Sequence, residues 1–359
     1  MTATTAARSV PPPEENRMSA QPGAAPPDRT AEAALLEQAL FEVKKVIVGQ
    51  DRAIERLFVG LLAGGHVLLE GVPGLAKTLA VETLATVIGG TYNRLQFTPD
   101  LLPADLVGTR IFRSSTESFD IEWGPVFANI VLADEINRAP AKVQSALLEV
   151  MAEHQVSIAG VTRKVPEPFL VLATQNPIES EGVYPLPEAQ RDRFLMKVVV
   201  GYPTAAEEAQ IVSRMGGRPP KAEQVLSLED LIHLQEATTD VHVAPSVADY
   251  AVRLVLATRE PADHGLPELG ELVSWGASPR ATLGLVAGGR ALAVMRGRNY
   301  VLPQDVFDVA PDVLRHRLVP SYEALAQGLS VEQILARLLS TIHAPVVAPS
   351  QDPTAVAPR

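Results

Sequence analysis

The stretch VLLEGVPGLAKT, residues 67–78, decides how this chain is expected to fold. Its first three residues, Val67 to Leu69, are a short apolar run that predicts a buried strand. A glycine-rich turn follows, and the residues after it have helical spacing as far as Val87. A strand, a glycine loop and a helix in this order are typical of α/β folds that bind phosphate at the start of the helix.

The loop, residues 71–78, matches the phosphate-binding pattern G-x-x-x-x-G-K-[ST] except that Ala76 stands at the second glycine position. Lys77 would reach the β- and γ-phosphates of ATP, and the Thr78 hydroxyl would bind Mg²⁺. The alternative is an ordinary glycine-rich turn. The residues expected to contact ATP here are Gly71, Val72, Pro73, Gly74, Leu75, Ala76, Lys77, Thr78 and Leu79.

A second motif is the apolar run Ile130–Ala133, which ends in Asp134 and Glu135. A strand of this kind would place both carboxylates at the C-terminal edge of the sheet, where α/β folds bind their ligands. Asp134 would hold Mg²⁺ through water, and Glu135 would orient and polarise the attacking water. The alternative is a strand that runs into an acidic helix cap.

Short apolar runs alternate with helical segments as far as residue 200, which predicts an α/β domain with a five-stranded parallel sheet covered on both faces. Beyond Tyr202-Pro203 only helical spacing remains, which predicts a smaller, all-helical second domain. The further candidate strands are residues 95–97, 130–133, 169–173 and 194–200, and the helical segments of the second domain are 228–238, 246–259, 279–295 and 303–314.

These patterns divide the chain into four parts. Residues 1–30 are rich in Pro and Ala and predict a disordered arm, because so few large apolar residues cannot offset the entropy of ordering. Residues 31–203 form the predicted nucleotide-binding domain, 204–343 the helical domain, and 344–359 a disordered tail. Thr30 is the expected cap of the first helix.

The composition narrows the class of protein. The 359 residues carry a formal charge of −11, which disfavours a nucleic-acid partner, and contain no cysteine, which excludes disulfides and thiolate metal sites. No apolar stretch approaches the roughly 18 residues of a membrane span, so no membrane insertion is expected. The start lacks the order of charges and apolar residues typical of a signal peptide, and a cytoplasmic location is expected.

The order of the motifs resembles that of the AAA+ ATPases, and within them the MoxR family, a helix-2-insert clade related to magnesium chelatase ATPase subunits. This family commonly has alanine before the P-loop lysine. Residues 46–50 resemble the segment that lies against adenine, which implies contacts from Val48 and Gly49. The resemblance implies an AAA+ P-loop NTPase core followed by a small helical lid domain.

Three polar residues acquire roles through this resemblance. Asn176, in the segment ATQNP at 173–177, resembles the sensor 1 residue that contacts the γ-phosphate or the attacking water. Arg193 resembles the arginine finger that enters a neighbouring subunit's site, although Arg191 is a second candidate. Arg280 resembles the sensor 2 residue of the lid. The alternatives are a strand-ending turn at Asn176, a surface arginine paired with Asp192 or Glu188, and a capped helix start at Arg280.

Two insertions also resemble this family. Residues 98–126 are longer than a simple connection needs and resemble the insert in helix 2. Residues 156–165, with Gly160 at a turn, predict a β-hairpin. Arg163 and Lys164 on it would either touch a partner in a central pore or form a solvated basic edge that prevents strand pairing.

The resemblance implies a magnesium-dependent ATPase in a ring, a hexamer, that acts as a chaperone-like remodeler or maturation factor. The implied client is a protein with a von Willebrand factor A domain. One alternative is a nucleotide-gated binding scaffold with little turnover. Another is a DNA-acting motor or a metal-chelatase subunit, and the negative charge disfavours the DNA motor.

Overall fold

The computed structural model describes residues 29–115, 117–178 and 182–346. The predicted N-terminal arm lies outside these residues except at its last two positions, and so does most of the predicted tail. No helix in the described ranges is long and apolar enough to cross a membrane.

Eleven strands are present among the described residues, and five of them form one parallel sheet, as predicted. The order in this sheet is β2-β5-β8-β1-β9. The strands are β1 Val67–Glu70, β2 Tyr92–Gln96, β3 Gly108–Arg113, β4 Ser118–Trp123, β5 Ile130–Asp134, β6 Gln155–Ile158, β7 Val161–Lys164, β8 Leu170–Gln175, β9 Met196–Val199, β10 Val273–Trp275 and β11 Val319–Pro320.

Helices cover both faces of this sheet, because the inner strands are apolar on both sides. On β5, Ile130 and Leu132 pack into one core and Val131 and Ala133 into the other. The helices are α1 Thr30–Val46, α2 Asp51–Leu62, α3 Lys77–Val87, α4 Pro103–Val107, α5 Ala141–Glu153, α6 Glu188–Arg191, α7 Ala205–Met215, α8 Leu228–Thr239, α9 Pro245–Ala257, α10 Pro279–Met295, α11 Pro303–Leu314, α12 Tyr322–Ala326 and α13 Val331–Thr341.

Two local details differ from the sequence predictions. The cap position of α1 is Arg29, and Thr30 is already helical. Arg29 is buried, pairs with Glu32 at 2.9 Å and donates to the Ala237 carbonyl, so a tertiary contact rather than a hydroxyl cap fixes this helix start. The strand predicted at 95–97 is observed at Tyr92–Gln96. Its first residues were missed because β2 is an edge strand and carries polar residues, which an apolar pattern does not show.

The second domain, the lid, is helical as predicted, with helices at each of the four segments read from the sequence. It also contains the short antiparallel pair of β10 and β11, in which Val273 lies opposite Pro320. The two strands are only three and two residues long, too short for an apolar pattern to reveal them.

The two insertions form hairpins. In the first, α4 precedes the antiparallel strands β3 and β4. In the second, β6 and β7 pair around Ala159 and Gly160, whose φ angles of 49° and 84° close the predicted turn. The Arg163 guanidinium on β7 lies 5.3 Å from the Trp123 ring and 4.9 Å from the Phe127 ring. Arg163 and Lys164 are both exposed, as the solvated-edge interpretation expects, and the Arg163 guanidinium in addition stacks on Trp123 of the first insertion and on Phe127.

Candidate active site

The C-terminal ends of β1, β8 and β5 meet at one edge of the sheet. Glu70 at the end of β1 lies opposite Gln175 of β8, and Gln96 of β2 lies opposite Asp134 of β5. The glycine loop leaves β1 at this edge, and the acidic pair leaves β5. The sheet order therefore brings together the two motifs that were identified separately in the sequence. We call this group of residues the catalytic edge.

The glycine loop holds an unusual backbone. Gly74 has a φ of 86° and Ala76 a φ of 55°, so the alanine occupies the left-handed region that normally favours glycine. A Cβ on Gly71 would lie 2.7 Å from the Val200 carbonyl oxygen, so this position has room only for glycine. In the described part of the chain, the N–H groups of Gly74, Leu75 and Ala76 donate to no other residue. Such a run of free N–H groups before a helix is an anion-binding concavity.

Lys77 is the first residue of α3 and points back over the loop. Its Nζ donates to the Gly71 carbonyl and, at 3.4 Å, to the Gln175 carbonyl. Burial lowers the pKa of Lys77, while Asp134 and Glu135 act in the opposite direction. The ammonium is thus held between the ends of β1 and β8, beside the free N–H groups.

Asp134 is buried at the end of β5 and accepts hydrogen bonds from three directions. Its Oδ1 accepts from the Thr174 hydroxyl at 2.6 Å. Its Oδ2 accepts from Thr78 Oγ1 at 3.4 Å and from the Arg94 guanidinium at 2.6 and 3.0 Å. The carboxylate therefore lies against the P-loop hydroxyl, and the basic partner comes from the edge strand β2.

Glu135 has a φ of 57°, an uncommon backbone conformation for a residue with a side chain. Its N–H donates to the Thr174 hydroxyl at 2.8 Å, which fixes the backbone. Its Oε2 accepts from Gln96 Nε2 at 2.8 Å and lies 3.2 Å from Arg138 Nε. The carboxylate is thus aimed from a constrained backbone and is held by two polar side chains.

The donors at this edge suit a magnesium ion. Thr78 and Asp134 supply hard oxygen ligands within hydrogen-bond distance of each other. This pattern fits Mg²⁺, which is commonly held by one or two protein oxygens together with substrate phosphates and water.

Asn176 follows β8 directly and is buried between the glycine loop and the acidic pair. Its Oδ1 accepts from the Ile178 N–H at 3.2 Å, so the side chain also stabilises the turn that ends the strand. Both sequence interpretations of Asn176 are compatible with this position.

The segment proposed to lie against adenine joins α1 to α2. Val48 is buried, and Gly49 has a φ of 67°. A Cβ on Gly49 would lie 2.7 Å from Glu207 Oε1, so this turn is pressed against the start of α7. Leu79, on the first turn of α3, is partly exposed.

Arg193 lies away from these residues, against helix α5. Its guanidinium donates to the Leu148 carbonyl at 2.5 Å, and the side chain is exposed beside a groove of about 700 Å³ formed by α5 and β6. Within the described ranges it forms no ion pair with Asp192 or Glu188. Arg191 is less exposed, and its Nε is buried without a partner. The accessible arginine of the two is therefore Arg193, on a surface remote from its own glycine loop.

Arg280 lies in the first turn of α10, as the sequence predicted, and is more than half exposed. Ser278 caps this helix by accepting from the Arg280 N–H at 3.2 Å. Arg280 also lies 3.8 Å from Asp192, so the capped helix start and the solvent-facing arginine are both present.

Sequence reasoning missed several partners of the acidic pair. Arg94 and Gln96 are two residues apart on β2 and therefore share a face, a signal that period-2 spacing could have revealed. Thr174 lies within the segment 173–177 that was recognised, and Arg138 lies three residues after Glu135, but neither was assigned as a partner of the acidic pair. Arg317, which contacts Asp192 from 125 residues further along the chain, has no local signal.

Comparisons with known proteins agree with this architecture. A model of the ATPase family associated with various cellular activities (AAA) matches residues 66–196, and a model of the AAA lid domain matches residues 270–338. The chaperone MoxR1 of Mycobacterium tuberculosis is 62% identical over 317 residues, which cover 88% of this chain and 84% of that protein. Protein MoxR of Paracoccus denitrificans is 35% identical over 88% of this chain and 96% of its own length.

A solved structure of a protein from Cytophaga hutchinsonii has the same fold, with a TM-score of 0.83 and 45% identity. The match covers 89% of this chain and 97% of the other. Together, the fold and the full-length relatives establish that the chain belongs to the MoxR family of AAA+ ATPases.

Proposed function

We propose that this chain is a magnesium-dependent ATPase that works as a ring, a hexamer, in the cytoplasm and remodels or matures a protein partner. One observation carries the ATPase activity. A loop whose N–H groups at Gly74, Leu75 and Ala76 have no partner among the described residues leads into Lys77, at the same sheet edge as Asp134 and Glu135. The loop can bind phosphates, and the acidic pair can support hydrolysis.

In this proposal the loop and Lys77 bind the phosphates, and Thr78 and Asp134 hold the metal. Magnesium, when bound, neutralises charge that develops on the phosphate oxygens. Glu135 orients and polarises the attacking water, with its backbone fixed by Thr174. Asn176 faces the γ-phosphate from the neighbouring strand end, and Val48, Gly49 and Leu79 line the nucleoside side.

Two arginines complete the site in this proposal. Arg280 of the lid would contact a γ-phosphate and thereby link lid position to nucleotide state, and its place beside Asp192 puts it on the same surface as Arg193. Arg193 is exposed and remote from its own loop, which supports a role in the neighbouring subunit's site. A guanidinium suits the charge spread over the transferring phosphoryl oxygens.

The partner is proposed from the relatives and from the charge of the chain. One relative is named a chaperone, which supports a protein client. The family resemblance further implies a client with a von Willebrand factor A domain. The formal charge of −11 supports a protein rather than a nucleic-acid client.

The test is Glu135→Gln, which keeps the shape of the side chain and removes its negative charge. We expect ATP binding to persist and turnover to fall by roughly 10²- to 10⁴-fold, the range for loss of a general base. Nucleotide binding by calorimetry and phosphate release measure the two effects separately. Lys77→Ala is the matched control and should lose binding itself. Unchanged hydrolysis in Glu135→Gln would sink the assignment.

The same variant tests the client. Glu135→Gln with ATP should retain a von Willebrand factor A domain protein on an affinity column, whereas the Lys77→Ala protein should not. Size-exclusion chromatography with light scattering, with and without ATP, measures how many subunits the ring contains. A protein that stays monomeric with ATP would contradict the shared site.

A further inference from the structure

The segment from Asp192 to Leu195 is tied to the lid. The Asp192 carboxylate accepts from the Ser278 hydroxyl at 2.8 and 2.9 Å and from Arg317 Nε at 2.8 Å. The same guanidinium donates to the backbone carbonyls of Asp192 at 3.1 Å, Phe194 at 2.7 Å and Leu195 at 3.0 Å. One lid arginine therefore holds the segment in which Arg193 lies. We call Asp192, Ser278 and Arg317 the clamp.

The clamp is buried and therefore stiff. The Arg317 side chain is 3% exposed and that of Asp192 19%. Burial lowers the pKa of Arg317, and the hydrogen bond and charge of Asp192 oppose this shift. Removing either partner would leave a buried charge without its counter-ion, so the pair resists separation.

The clamp also touches the helix that carries Arg280. Ser278 caps helix α10, whose first turn carries Arg280, and the Arg280 guanidinium lies 3.8 Å from the Asp192 carboxylate. Asp192 is next to Arg193 in the chain. Three features thus meet at one carboxylate, namely the helix that carries Arg280, the buried lid arginine, and the segment with the exposed arginine.

We propose that the clamp makes the lid of each subunit set the position of its own Arg193, so that the lid of one subunit governs ATP hydrolysis in the neighbouring subunit. The inference rests on the proposed function, in which Arg193 acts in the next subunit's site. Asp192 is then a positioning residue, because it acts through Arg193 and touches no nucleotide.

Rings that contain two kinds of subunit can distinguish an effect of Asp192 on the neighbouring subunit's ATP site from an effect on its own subunit. A receiver subunit carries Arg193→Ala and keeps its Glu135, and a donor subunit carries Glu135→Gln and keeps its Arg193. Their mixture hydrolyses ATP only where a donor arginine enters a receiver site. Asp192→Asn, which removes the charge and keeps the shape, is then added to the donor or to the receiver.

We expect Asp192→Asn in the donor to reduce turnover of the mixture at least about tenfold more than the same change in the receiver, since small misplacement of a catalytic group has large effects on rate. Ser278→Ala provides a second, milder variant and should show the same asymmetry. Asp305→Asn is the matched control, because Asp305 pairs with Arg296 and Arg298 entirely within the lid. It should act equally in both subunits.

Equal losses from the two placements of Asp192→Asn would overturn the proposal, since the clamp would then serve folding or its own site. Absence of loss in either placement would overturn it too. An inactive unmodified mixture, with subunit exchange verified by fluorescence transfer, contradicts the shared ATP site. That result overturns the proposed function and this inference with it, and it is distinguishable from the first two outcomes.

Discussion

The catalytic edge and the junction between the two domains are both built from arginine–carboxylate pairs, but the pairs differ in burial. At the edge, the side chains of Arg94 and Arg138 are 49% and 41% exposed. At the junction, where helices α2 and α11 meet, the side chains of Arg56 and Asp312 are 4% and 1% exposed, and those of Arg317 and Asp192 in the clamp are 3% and 19% exposed.

This difference in burial distinguishes ion pairs that can exchange partners with water from ion pairs that stay together. A half-exposed guanidinium can leave a carboxylate for water at little cost, so Asp134 and Glu135 can change partners during a reaction cycle. A buried pair cannot be parted without leaving an uncompensated charge. The edge is therefore suited to chemistry, and the junction is suited to transmitting movement between domains.

The largest expected loss of stability comes from a substitution at the junction. Arg56→Ala should reduce the free energy of unfolding by about 3–5 kcal/mol, because Asp312 loses a buried partner at 2.8 Å and the Asp308 carbonyl loses its donor, although Arg315 still contacts Asp312. Denaturant unfolding followed by circular dichroism measures this. Arg52 contacts the same carboxylate but is 58% exposed, so Arg52→Ala is the control and should cost less than about 1 kcal/mol. Equal costs for the two arginines would break the comparison.

An intermediate loss of stability is expected when the pH is lowered. His66 is buried, accepts from the Val171 N–H and faces the Met151 carbonyl, and burial lowers its pKa to about 4. The unfolded chain binds this proton near pH 6.5, so the stabilisation by neutral His66 is complete above that pH. It is lost as pH falls toward 4, by about 3 kcal/mol in all.

Burial also lowers the pKa of His316, which contacts the Phe194 carbonyl at the junction, so its effect has the same sign. Urea unfolding between pH 7 and about 4.5 measures the combined loss. His66→Gln should flatten part of the slope, whereas His343→Gln, at an exposed position, is the control. A slope that is unchanged by His66→Gln would contradict the assignment.

The smallest expected loss of stability comes from a substitution at the catalytic edge. Arg94→Ala should cost less than about 1 kcal/mol of stability, because the arginine is half exposed, although it donates two hydrogen bonds to Asp134. ATP binding should persist, since Thr78 and Asp134 remain. Thermal unfolding and nucleotide titration check both points. A cost comparable to that of Arg56→Ala would show that the edge is as fixed as the junction.

The sequence predicted the parts of this molecule whose causes are local. The glycine loop, the acidic strand end and the second hairpin each follow from neighbouring residues, and the parallel sheet follows from buried apolar runs. Ala76 departed from the glycine pattern, but its backbone adopts the left-handed conformation that the pattern requires.

The missed features have non-local causes. Arg317 meets Asp192 only because the lid folds back on the first domain, and no spacing rule connects residues so far apart. Arg29 replaced Thr30 at the helix start for the same reason, since its partner Ala237 lies in the lid. The roles given to Asn176, Arg193 and Arg280 stay predictions that the variants above can test.

The stacking of Arg163 on Trp123 and Phe127 has a mechanical consequence. A lone hairpin on a protein surface bends easily, but two hairpins braced against each other share any load. A load on one of them would also strain the other, and through the connecting segments it would strain strands β5 and β8, which lead directly into Glu135 and Asn176. The brace therefore offers a route by which force on the surface could reach Glu135 and Asn176.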